Sequence, residues 1–396
     1  MRLLLTLLIS SVALIACNGA PSVDDMRHQF STLRSIEGEA VDPFVQQAVE
    51  SVDRAEESVR LAVENLESER LRNALIAAAD RGVDVRVVTD EDQLGLADIV
   101  ALDAALPRRD DGRSAVSAGD GALSYSPSPN TVVSRPGSDN VMSHNFVVVD
   151  ELEVVTATNG FYDTSITQLG FYIASEEFGR DFADEFDHMF SGIFATTLSA
   201  FNGPLKSNTN NRTFYRTNAG RVELFFGPQE RLTKRLVDEV YLTRSSVVVV
   251  TELLSSEPLA DALRYKAEAG FDVTVIVEAD RAEIESSRVA ALEVVFEPLA
   301  NARIVRVASV GGDAIVIDEL PSPIDGVQYP ARAYVSTQPV VAALGFVGTG
   351  TATTSRPADA FYDGHMFAVH RTAFSEGAPF TVVADSIRSA YLVGLQ

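Results

Sequence analysis

Val141–Asp150 reads VMSHNFVVVD. An apolar run, Phe146–Val149, follows Ser143-His144-Asn145 and ends in Asp150. Pro-, Ser- and Gly-rich sequence precedes it and Asp150-Glu151 closes it, so the run reads as a short buried strand. Ala314–Asp318 (AIVID) has the same form later in the chain. Two such strands, each ending in Asp, point to a duplication.

The duplication is plainest upstream. Ser68–Val88 reads SERLRNALIAAADRGVDVRVV and Ser256–Ile276 reads SEPLADALRYKAEAGFDVTVI, matching at a constant offset of 188. Each copy predicts the same unit. Ser68 or Ser256 caps a helix with acid in its first turn, and Pro258 sits early, where its missing N–H costs little. Leu71, Leu75 and Ala79, like Leu259, Leu263 and Ala267, follow helical spacing. Gly82 and Gly270 end the helices in the left-handed region, and Val83–Thr89 and Phe271–Val277 alternate as strands. Helix and strand precede each copy: Pro43–Glu56 with Ser58–Val63, and Glu230–Tyr241 with Ser246–Thr251. Strand–helix–strand is a βαβ unit, expected with right-handed crossover.

Asp150 and Asp318 stand 168 apart, so the first copy carries roughly twenty extra residues, placed in the loop 106–140, rich in Asp, Gly, Ser and Pro. Both copies close alike. Val154–Thr156, Phe171–Ala174 and the amphipathic helix Phe178–Phe190 answer to Ala333–Val335, Phe367–His370 and a helix near Val383–Tyr391. The expected organisation is a first half at 42–200, a linker at 201–221 rich in Asn, Thr, Gly and Ser, and a second half at 222–396.

The stretch Ser143-x-Asn145-x4-Asp150 resembles the His-x-Lys-x4-Asp signature of the phospholipase D superfamily, and Gly311-x-Asp313-x4-Asp318 falls in the same frame. The resemblance covers about Asp42–Ile193 and Val222–Gln396. It implies a duplicated α/β fold, two βα-rich halves with mixed sheets related by a pseudo-twofold. It also implies a phosphodiesterase site at which one His attacks phosphorus, the other protonates the leaving oxygen, and two Lys hold the phosphoryl oxygens. That chemistry needs a nucleophile, an acid and preorganised cations. Here Ser143 and Gly311 occupy the His positions and Asn145 and Asp313 the Lys positions; Asp150 and Asp318 remain, where strand-end structure alone can explain them. The expectation is a pseudoenzyme scaffold that binds a ligand or partner, a phospholipid or other phosphodiester being the candidate ligand. The alternative is an active phosphodiesterase rebuilt around His144. His144 is one residue out of frame, and strand alternation turns it to the face opposite Ser143 and Asn145 unless a bulge re-aims it. His28, His188, His365 and His370 stand isolated and read as structural.

Met1–Ala16 has one Arg and an apolar core too short to span a bilayer, the pattern of a secretory signal. Leu14-Ile15-Ala16-Cys17 resembles a bacterial lipobox, which implies cleavage before Cys17, lipidation of its sulfur and anchoring to a membrane surface. Cys17 is the chain's only cysteine, so no intramolecular disulfide can form. Asn18 after it suggests the outer membrane of the cell envelope. Residues 17–41 are the expected spacer, with an amphipathic helix considered over Met26–Ile36. Lys and Arg number 32 against 56 Asp and Glu, for a net charge of −24. This balance argues against a nucleic-acid partner, whose phosphates must be neutralised by cations, and fits a solvated surface. No His or Cys spacing suggests zinc, no Walker loop or Gly-x-Ser-x-Gly is present, Asp110–Asp120 lacks the calcium-loop pattern, and no cofactor is expected. Gly348–Ser355 (GTGTATTS) reads as a flexible loop.

Overall fold

The computed structural model describes residues 28–371 apart from 39, 91–92, 111, 113, 119–140, 192–197, 200–202, 205–213, 219, 228, 284–286 and 338–361, together with 380, 384 and 385. The expected signal, Cys17, the Gly348–Ser355 loop and most of the final helix lie outside these residues.

The first half runs β1 (Gln29–Ser35), α1 (Pro43–Arg54), β2 (Ser58–Val63), β3 (Leu66–Glu67), α2 (Glu69–Asp80), β4 (Asp84–Thr89), α3 (Ala97–Ala105), β5 (Val116–Ala118), β6 (Val141–Met142), β7 (Asn145–Val149), β8 (Glu153–Ala157), β9 (Phe161–Tyr162), β10 (Gln168–Ala174) and α4 (Glu176–Phe190). After β11 (Leu198–Ser199) and β12 (Gly203–Pro204) come β13 (Tyr215–Thr217), β14 (Gly220–Phe226), α5 (Leu232–Leu242), β15 (Ser246–Thr251), α6 (Glu257–Glu268), β16 (Asp272–Glu278), α7 (Ala279–Ala282), α8 (Val289–Phe296), β17 (Ala302–Val307), β18 (Asp313–Ile317), β19 (Arg332–Ser336), β20 (Tyr362–Asp363) and β21 (His365–His370). The first sheet has the order β1-β10-β8-β7-β2-β4-β5 and the second β13-β14-β21-β19-β18-β15-β16-β17. From β1 and β14 onward the two orders correspond strand by strand. β2 is parallel to β4 and antiparallel to β7, and β15 is parallel to β16 and antiparallel to β18. Each is the mixed sheet the duplication implied.

Local signals act as read. Leu71 N–H donates to Ser68 Oγ at 3.1 Å and Leu259 N–H to Ser256 Oγ at 3.3 Å, the two caps. Gly82 and Gly270 take φ of +94° and +90°, where a side chain would be strained. Apolar side chains form one cluster under α1, α2 and α3, one under α5, α6 and α8, and a third between the two sheets. The third joins the halves. Helix α4 lies in it, with Phe178 stacked on Tyr215 and Phe182 set edge-on to Phe226 of the second half.

Three expectations are corrected. The helix considered over Met26–Ile36 is the strand β1, paired antiparallel with β10; Phe30 is buried against Phe171 and Phe367, and this burial outweighs the weak helical period. Part of the expected spacer therefore belongs to the first sheet. The loop 106–140 contains β5, an edge strand parallel to β4; its Ser-Ala-Val-Ser-Ala sequence lacks a β-branched run. The linker 201–221 ends in β13 and the start of β14, which already belong to the second sheet.

Candidate functional site

The residue types that end β7 and β18 are explained by backbone. Asp150 and Asp318 have φ of +52° and +57°, a conformation Asp tolerates better than most residues. The Asp150 carboxylate accepts from the N–H groups of Glu56, Glu57 and Ser58 at 2.8–2.9 Å. Asp318 Oδ1 accepts from the N–H groups of Arg244 and Ser245 at 2.7 and 2.9 Å and from Ser245 Oγ at 3.2 Å. Each Asp ties the end of its motif strand to the start of the central strand beside it, β2 or β15. The surviving part of the motif is therefore the part that holds the fold.

The other end of these strands faces the seam between the halves. Ser143 and Asn145 are buried, and Asn145 Oδ1 accepts from Glu64 N–H at 3.0 Å. Thr158 Oγ1, at the end of β8, donates to Gly311 O at 2.5 Å across the seam. A Cβ on Gly311 would stand 2.8 Å from Thr167 O and 2.9 Å from Gln168 Cα. Backbone of the first half thus occupies the space a side chain at Gly311 would need. Gly312, at φ +106°, is likewise pressed on Thr158. At the second Lys position the buried Asp313 supplies a carboxyl in place of an ammonium.

His144 departs from its expected placing. Strand β7 starts at Asn145, so the alternation rule does not reach His144, and its side chain is aimed into the seam. There it meets His365 of the second half: Nδ1 to Nδ1 is 3.0 Å and the rings stack at 12°. Glu185 of α4 lies 3.3 Å from His144 Nε2 and accepts from Gln229 Nε2 at 3.0 Å. Phe146, Phe182, Phe226 and Phe367 surround His365. Burial first, and His144 second, hold the His365 imidazole well below the usual histidine value. Reading His365 as isolated was wrong, because its partner lies 221 residues away and no local pattern marks it. His28 and His370 are also partnered, by Ser175 Oγ at 2.6 Å and Glu223 Oε1 at 2.8 Å.

Four acids frame the same seam and were missed in the sequence. Glu64 and Asp90 follow β2 and β4; Glu252 follows β15 and Glu278 is the last residue of β16, at the same offset of 188. Reading the repeat on to the C-terminal end of each strand finds them. Asp90 Oδ2 accepts from Met142 N–H at 2.8 Å and Glu278 Oε1 from Val310 N–H at 2.9 Å. Each thus pins the residue before Ser143 or Gly311. Burial, then Asp90 and Glu252, push the Glu64 carboxyl up to about 8; burial and Glu278 raise Glu252, against a smaller opposing effect of Arg281. A seam that disfavours its own carboxylates repels a phosphodiester. Among the described residues no group of three or more His, Cys, Asp or Glu is arranged to hold a metal ion.

Residues 49–190 match the family model for the cardiolipin synthase, phospholipase D-like domain. No curated protein matches the sequence significantly. Among solved structures, phosphatidylserine synthase of Haemophilus influenzae Rd KW20 is 10% identical, with 93% of this chain and 86% of that one covered and a TM-score of 0.55. Polyphosphate kinase of Porphyromonas gingivalis is 12% identical over 96% of this chain, at a TM-score of 0.48; the present chain spans 53% of its length. Nuc, a phospholipase D family member of Salmonella typhimurium, is 19% identical over 41% of this chain and 94% of its own, at 0.30. At these identities the structural likeness concerns the fold. Residues 49–190 thus carry a phospholipase D-like domain, and the second half of the chain repeats its strand order.

Proposed function

We propose that this protein is a membrane-anchored lipoprotein of the cell envelope whose phospholipase D-like scaffold binds a ligand or partner without hydrolysing phosphodiesters. The observation that carries this reading is Gly311. Backbone of the opposite half stands where a nucleophile or acid at that position would have to be. The acids around the seam support it, because they oppose an anionic transition state instead of stabilising it. The signal-like Met1–Ala16 and Cys17 support a lipid anchor, and Asn18 supports the outer membrane. A phospholipid is the ligand class to test first, in keeping with the phospholipid synthases this chain is similar to.

One observation favours a second reading, an active phosphodiesterase. His144 and His365 come from different halves and meet, with a carboxylate beside His144. Both rings are shut off from solvent, at 0% and 1% exposed, which weighs against a substrate reaching them. The test offers the full-length protein a chromogenic phosphodiester and phosphatidyl lipids, beside His144→Ala and His365→Ala variants. No turnover in any of the three is the expected result; turnover that disappears in either variant establishes the second reading. The anchor is tested by Cys17→Ser, which is expected to move the protein from the membrane fraction to the soluble one.

A further inference from the structure

The contact between His144 and His365 has a chemistry of its own. Two ring nitrogens 3.0 Å apart need one hydrogen between them, one ring donating and the other accepting. The Glu185 oxygen 3.3 Å from His144 Nε2 favours a hydrogen on that nitrogen, which leaves Nδ1 as a lone pair. His365 then supplies the shared hydrogen from Nδ1–H, and its Nε2 is a buried lone pair without a partner among the described residues. Several described groups pack around the pair. Helix α4 brings Glu185 and Phe182, the segment after β14 brings neutral Gln229, and β14 itself brings Phe226. The segment after β19 brings the neutral Thr337 hydroxyl, 3.5 Å from His365 Nδ1. Glu185 is an acidic side chain facing the pair among the described residues.

We propose that His144 and His365 form a proton-sensitive lock between the two halves, closed while a single hydrogen is shared by the rings and released when both rings are protonated. Charging His365 sets an imidazolium among four phenylalanines, which its burial resists. With both rings charged every ring nitrogen carries a hydrogen. Two N–H groups then point at each other across 3.0 Å and two cations stand with ring centroids 5.3 Å apart. The rings must part, and because one rides on the β7 side and the other on β21, parting them loosens the seam. The direction follows from linkage. The unfolded chain takes up a proton on this histidine near 6.5, and the buried ring resists it, so stability falls as pH drops below the ordinary histidine value. The lock rests on the geometry of the pair and holds whether or not turnover is found.

The test is amide hydrogen exchange followed by mass spectrometry on the full-length protein at pH 7 and pH 5, corrected for intrinsic exchange. In the wild type, protection of β7 and β21 is expected to fall on the order of tenfold or more over this interval, with α2 and α6 changing much less. In His365→Asn, whose side-chain N–H replaces Nδ1–H without titrating, the fall is expected to stay below about twofold, the residue of a tenfold linkage effect removed. An unchanged wild type, or an equal fall in the variant, overturns the proposal. If the variant does not fold, nitrogen NMR of the wild-type imidazoles decides: one Nδ1–H and one Nε2–H tautomer for the pair at pH 7 supports the lock, and two Nε2–H tautomers refute it.

Discussion

Replacing Glu64 by Gln should make the protein more stable, and only at neutral to alkaline pH. Glu64 follows β2 at the seam, its carboxyl raised from 4.5 to about 8 by burial and by the facing Asp90 and Glu252. Because the folded value lies above the unfolded one, the protonated form is favoured in the fold. Below pH 4.5 the group is neutral in both states and carries no penalty. Between 4.5 and about 8 the unfolded chain releases its proton and the folded chain keeps it, so stability falls as pH rises; above 8 the full penalty is present. A shift of that size corresponds to about 5 kcal/mol. Glu64 keeps some exposed surface, and solvent screening there reduces the figure to about 2 kcal/mol. Asp181, pushed up to about 7 by burial and by Asp184 and Glu230, titrates in the same interval, so the quantity to read is the difference between variant and wild type. Urea unfolding of both proteins at pH 4.5, 6.5 and 9 should give a difference near zero at the lowest pH, growing to about 2 kcal/mol in favour of Glu64→Gln at the highest. An equal difference at all three values, or a less stable variant at pH 9, would refute a carboxylate crowded at the seam.

Gly311→Ala should destabilise the protein by about 1–3 kcal/mol, since its Cβ would meet backbone that cannot turn aside; a change under about 0.5 kcal/mol in the urea midpoint would mean the seam has slack. Asp150→Ala and Asp318→Ala should each lose about 1–3 kcal/mol by removing the acceptor of these N–H groups, with the larger loss at Asp318, whose donors are the more buried. Ser68→Ala and Ser256→Ala should each cost about 1 kcal/mol by thermal unfolding; a cap worth nothing in one copy would break the equivalence of the repeats.

Much of the scaffold was legible because the signals that carry it are local. Ser68 and Ser256 sit where a cap is needed, Gly82 and Gly270 where φ turns positive, and Phe146–Val149 is a run that only burial on both faces explains. Strand β1 was not legible: Gln29–Ser35 is a largely polar heptad with two large apolar residues, Phe30 and Leu33, and what makes it a strand is the edge of β10 beside it. Strand β5 is similar, three small residues that pair because β4 offers an open edge. At the candidate site the motif frame put Asp150 and Asp318 at strand ends, and β7 and β18 stop one residue before them. It misjudged His144, because the strand begins one residue later than the frame assumes and alternation has no force before a strand starts.

From sequence alone came the duplication at an offset of 188, the strand that ends in Asp150 and its counterpart, and the loss of both His and both Lys from the motif. These follow from periodicity and residue chemistry, which act within one or two turns of chain. The tertiary structure decided that His144 and His365 touch, that Gly311 is walled in by Thr167 and Gln168, and that Glu252 of one half raises Glu64 of the other. Those facts depend on how one half is set against the other. That setting is produced by the shared Phe-rich core between the sheets, a sum of many contacts between residues far apart in the chain, and no short stretch encodes it.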